Sequence, residues 1–190
     1  QNPRSGEIDV MLDPDEWKML EPVAHKIDDP SIADRKYNST HFLQFGMPWG
    51  KASVFTVRNL LRQLYSIEEC QRLVLEHTKL TATSYSVQIF ARPDVRYLSP
   101  GLPDISPYIS SSNVIGTRLF DRFAVGRPPA IGLWANRMLS ANDYLLRNRG
   151  GLHSERLLLY HLNKHNISRK EVSDFCFIRV RANGGDKEKT

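Results

Sequence analysis

The run Gly150-Gly151-Leu152-His153-Ser154-Glu155-Arg156-Leu157-Leu158-Leu159 constrains this chain more than any other stretch of it. Paired glycines break whatever precedes them, and residues 152–164 then read as a strongly apolar helix. Leu157, Leu158, Leu159 and Leu162 surround most of that helix, so it requires cover on nearly all sides. Apolar runs of β type flank it: residues 130–135 read as a buried strand and residues 174–182 as a second one. A buried helix between two strands implies the α+β class, a mixed sheet flanked by helices. Residues 128–190 would hold the strand–helix–strand unit and residues 1–127 a helical and loop region, together one compact domain. A chain of 190 residues buries roughly 70% of its unfolded surface, so metal or disulfide staples are not needed for a core.

Upstream the pattern is looser. Asp13-Pro14-Asp15-Glu16 reads as a helix start, with Asp13 as N-cap and carboxylates in the first turn. Residues 28–50 read as loop with at most one short strand. Residues 52–65 carry Phe55, Val57, Leu60, Leu61 and Leu64 at helical spacing. Ser66-Ile67-Glu68-Glu69 then has the form of a capping box, opening a second helix that ends near Leu80. Residues 85–90 alternate at period two and predict a strand, followed by a long connection over 92–113. Ser140 caps a helical turn or two through Leu146.

Charge is distributed unevenly. Residues 1–34 hold nine acidic and three basic side chains, while the rest of the chain is +11 and the whole +5. Arginine outnumbers lysine 17 to 9, which favours planar, bidentate contacts with phosphate or carboxylate. Two readings follow: a basic face for nucleic acid or an acidic protein partner, or acidic residues packed against a basic body. Arg92, Arg96, Arg118, Arg122 and Arg127 recur near Tyr97, Tyr108, Phe120 and Phe123, a composition suited to gripping phosphate and stacking bases. No apolar run reaches the ~18 residues of a membrane span, so no membrane partner is expected. Cys70 and Cys176 make no disulfide framework and read as buried small hydrophobes in a reducing, intracellular compartment, with no signal peptide seen.

Chemistry concentrates at the Gly-Gly break. His153 and Glu155 fall in the first turn of the helix, where unpaired amides favour an anion or a bound hydroxide. Both side chains can reach one point in front of that helix start, one to hold a metal and the other to move protons. His-Ser-Glu opening a helix between two strands resembles the cytidine-deaminase-like superfamily, especially its toxin-type branch. The resemblance spans residues 128–181 and implies a deaminase-like hydrolase acting on a nucleobase or nucleotide. It implies His153 as a zinc ligand and Glu155 as the proton carrier. The superfamily's Pro-Cys-x-x-Cys, which supplies two thiolates, has no counterpart in this sequence. The alternative is a non-catalytic basic module for nucleic acid or an acidic protein. His161 and His165 are also spaced for joint metal binding, but Leu162 stands where a zincin has glutamate. They read instead as exposed histidines near a helix C-terminus.

Overall fold

The computed structural model describes residues 18, 21–46, 54–92, 95–99, 101–148 and 150–179. Its centre is a hairpin. β3 (Val114–Arg118) and β4 (Phe123–Gly126) pair antiparallel, with Ile115 opposite Gly126 and Arg118 opposite Phe123. β1 (Gln88–Ala91) adds antiparallel to β4, and β5 (Ser168–Glu171) adds parallel to β3. The order β1–β4–β3–β5 makes a mixed sheet flanked by helices, and the protein is α+β. This sheet takes three strands from before residue 128 and one from after it. Every residue of β4 is buried, as are Ile115, Gly116 and Thr117, which suits strands covered on both faces. Gly116 leaves room for Tyr108 of α4 (Ser106–Ile109), since a Cβ there would sit 2.7 Å from the tyrosine ring. β2 (Val95–Tyr97) and β6 (Phe177–Arg179) form a separate antiparallel pair.

Several sequence expectations are corrected. Residues 130–135 are helical, not a strand: α5 (Pro128–Ala135) begins with two prolines, whose fixed φ and missing N–H suit the first helical turn. A short apolar run looks alike as buried strand or buried helix, and the prolines decide. The strand expected over residues 174–182 is present as β6 but pairs with β2, and an unexpected strand, β5 over Ser-Arg-Lys-Glu, comes between it and the apolar helix and joins the main sheet. That strand lies at the sheet edge, and its charged side chains suit an edge. Residues 66–69 open no second helix, because α3 (Val54–Thr81) runs unbroken through them. Ser66 Oγ instead donates to the Arg62 carbonyl at 3.0 Å, and Glu69 pairs with Lys26 and Arg72. Residues 28–50 hold two short helices among those described, α1 (Pro30–Lys36), capped by Asp29, and α2 (Ser39–Leu43). α1 packs on α3 through buried Ala33 and the Asp34–Arg62 ion pair, the Arg62 Nε donating at 2.8 Å. The helix expected from Asp13 lies outside the described residues. Cys70 is exposed and Cys176 half-buried, so neither is the buried thiol expected.

A short 3-10 turn (Arg137–Ser140) and α6 (Ala141–Arg147) lead from α5 to α7 (Ser154–Lys164). α7 joins two cores. Leu157 packs with Leu60, Leu61 and Leu64 of α3 and Leu145 of α6, while Leu158 and Leu162 pack with Ile115, Ile131 and Trp134. Cover is not complete, however: Leu159 is 37% exposed and Glu155, Arg156, Asn163 and Lys164 face solvent. The helix is amphipathic because its outward positions are charged or polar. Leu158→Ala, at a site with no exposure, is expected to cost about 2–5 kcal/mol by leaving a cavity. Leu159→Ala should cost less than about 1 kcal/mol; equilibrium denaturant unfolding of both variants checks the pair.

Candidate functional site

Gly151 turns the chain into α7 at φ 77°, a left-handed conformation that glycine adopts without steric cost. His153 follows as N-cap in extended conformation, its carbonyl accepting from Leu157 N at 2.8 Å, and its ring makes no capping bond. Ser154 starts the helix and is buried; Glu155 comes next and is exposed. An open cavity of about 340 Å³ lies in front of this helix start. His153, Ser154 and Glu155 line it from α7, Asn59 and Gln63 from α3, and Arg92, Asp121 and Arg122 from the ends of β1 and the β3–β4 turn. The cavity thus lies past the carboxyl end of β3, the side where ligands gather on parallel strand units.

Asp121 organises this wall. One of its oxygens, Oδ2, accepts from Gln63 Nε2 at 2.9 Å and from Ser154 Oγ at 3.1 Å. The turn that carries it holds Leu119 at φ 46° and Phe120 at φ 60°. Two non-glycine residues in the left-handed region cost energy that the surrounding contacts must meet. Behind the turn stands Arg137, which has no exposed surface. Its Nη1 donates to the Trp134 carbonyl at 3.0 Å and its guanidinium lies 4.7 Å over the Trp134 ring. Burial pulls the Arg137 pKa down to about 10, against the pull of Asp121's charge, so it remains protonated at neutral pH.

Burial also lowers the His153 pKa, and Glu155 only partly opposes this. The imidazole is therefore neutral at pH 7, the form that takes a proton or a metal ion. Of the five arginines singled out in the sequence, the structure brings two into the cavity, Arg92 and Arg122. Arg118 lies 3.3 Å from Glu171 in an ion pair, Arg127 Nε donates to the Ile109 carbonyl at 2.7 Å, and Arg96 is exposed on β2. Sequence reading missed Asp121, Gln63 and Arg137. Their roles arise from the meeting of a turn, a helix face and a buried loop, and no local pattern announces that meeting.

Zinc finds no complete donor set here. Beyond His153, no group of three His, Cys, Asp or Glu suited to a metal ion occurs among the described residues. Cys70 lines an adjoining cavity on α3, and Cys176 precedes β6, its backbone N donating to Ser99 Oγ at 3.0 Å. Among the described residues the donors do not fit a zinc site of the superfamily's kind. No helix among them is long and apolar enough to cross a membrane. No family model matches the chain, and neither a curated protein nor a solved structure shows significant similarity to it.

The second histidine pair differs from expectation. His161 is not exposed but fully buried, its Nδ1 2.7 Å from Ser140 Oγ and its ring 4.6 Å from that of His165. Burial first and His165 next push its pKa down from 6.5 to about 4. The unfolded chain therefore binds a proton more readily than the folded one below pH 6.5. Stability is expected to be full above pH 6.5 and to fall by up to about 3 kcal/mol as pH drops toward 4. Denaturant unfolding at several pH values should show that slope in the native chain and a shallower one in His161→Gln.

Proposed function

We propose that the cavity at the start of α7 is a nucleobase- or nucleotide-binding site, and that the chain is a deaminase-like domain in which Glu155 carries protons. The observation that supports this is the sharing of one cavity by His153, Glu155, Asp121, Arg92 and Arg122. Its volume, about 340 Å³, is at the lower end of small-molecule sites, roughly 300–1,000 Å³, and matches a base with its sugar rather than a large cofactor. A neutral His153 beside a solvent-facing Glu155 is an acid–base pair that can accept and return protons at a ring nitrogen or exocyclic amine. Arg92 and Arg122 supply positive charge for a phosphate, and the amide end of α7 adds to it. These residues supply binding and proton transfer, while metal activation of water needs donors beyond those described.

A second reading shares the same arginines: a non-catalytic basic module for nucleic acid or an acidic protein, favoured by the +11 body. Turnover separates the two. Purified protein is assayed for bound zinc, for nucleotide binding by calorimetry, and for ammonia release from cytosine and adenine nucleotides. The deaminase-like reading expects release that falls at least about 100-fold in Glu155→Ala. Binding without release in the native chain supports the second reading, and absence of both overturns the nucleotide site.

A further inference from the structure

A guanidinium group sealed inside the protein keeps two hydrogen-bond donors without a partner. Arg137 of the 3-10 turn has no exposed surface. Its Nη1 donates to the Trp134 carbonyl at 3.0 Å, and its Cζ lies 4.7 Å from the centre of the Trp134 ring. Nε and Nη2 are buried as well, and neither makes a hydrogen bond. These two nitrogens share one edge of the guanidinium plane. Their N–H bonds run parallel there and form the fork by which arginine grips anions with two bonds at once. No carboxylate among the described residues reaches that fork. Asp121 acts on Arg137 through space, with its Oδ2 engaged by Gln63 and Ser154. On the α7 side the interior is cationic. The fully buried His161, whose Nδ1 lies 2.7 Å from Ser140 Oγ of the same turn, feels the positive charge of His165, Arg137 and Lys164.

We propose that the Nε–Nη2 fork of Arg137 binds a small monovalent inorganic anion of the halide kind, inside the protein where the 3-10 turn meets α5 and α7. Taking an ion out of water without a partner is costly, and buried charges are therefore paired. Arg137 stays protonated at neutral pH, so it does not escape that cost by losing its proton. A water molecule satisfies two donors but leaves the charge unbalanced, whereas a monovalent anion does both. Closure of the site sets the size of the ligand. Arg137 and His161 are fully buried and Ser140 is 2% exposed, which leaves no opening for a phosphate ester or an organic acid. A doubly charged ion would also lose far more hydration than one arginine returns. The ion ties the turn to its neighbours from behind the wall that carries Asp121, and its binding does not depend on the reading of the α7 cavity.

Two experiments on the full chain test this. Crystals soaked in sodium bromide are expected to show an anomalous-scattering peak at the Nε–Nη2 fork. An ordered water at the fork, with no anomalous signal, overturns the proposal. In solution, thermal melting is compared in sodium chloride and sodium gluconate at equal ionic strength and pH 7, gluconate being too large for a closed interior. Chloride should raise the Tm of the native chain by roughly 3–6 °C for each tenfold increase beyond half-saturation. Arg137→Met, which keeps an unbranched side chain and removes the fork, should lose that dependence. Equal melting of the native chain in the two salts overturns the site, and so does a chloride effect that persists in Arg137→Met. Should that variant fail to fold, the bromide map of the native chain decides by itself.

Discussion

The Asp121 carboxylate joins elements that lie far apart in sequence. Seated in the β3–β4 turn, it takes hydrogen bonds from α3 through Gln63 and from the first residue of α7 through Ser154. Those two bonds tie the turn to α3 and to the start of α7, next to His153 and Glu155. A charge-assisted bond of this kind is worth more than a neutral one, roughly 1.5–3 kcal/mol, and its loss would leave a carboxylate facing a half-buried wall. Arg137 is buried behind the turn, and the charge of that carboxylate helps to keep the arginine protonated against burial.

Around this tie the fold places rigid parts where the cavity needs them. α3 runs 28 residues without interruption and supplies one wall. The buried hairpin supplies a second and holds its turn in a strained conformation. α7 supplies the third, clamped between two cores by Leu157 on one side and Leu158 and Leu162 on the other. Side chains on such elements move little, so the cavity is held close to one shape before any ligand enters. The cavity is open on the side where Glu155 meets solvent, while Arg92 and Arg122 in its lining are half-buried.

Much of α7 was legible in the residues themselves. The Gly-Gly break, the helix that follows and the joint placing of His153 and Glu155 at its start need only local geometry, and the structure has them. The α+β class was legible for a similar reason, since an apolar helix beside β-type runs must be covered by a sheet. Strand identity was not. Residues 130–135 suit either state, and Ser168–Glu171, the true partner of β3, carries no alternation because its side chains line an exposed edge. The hairpin of β3 and β4 also passed unread, as Gly116 and Gly126 interrupt its apolar pattern where Tyr108 and Ile131 press close.

The sequence by itself determined where one helix starts, which residues stand at that start, and how acidic and basic residues divide along the chain. These depend on backbone preferences and spacing within a few residues, and local physics decides them. Tertiary structure alone decided which partners meet those residues: Asp121 and Gln63 beside Ser154, Arg92 beside Arg122, and His161 sealed against Ser140. Contacts between elements tens of residues apart arise from the order in which strands join a sheet. That order is chosen by total burial over the whole chain, a quantity that no single segment carries.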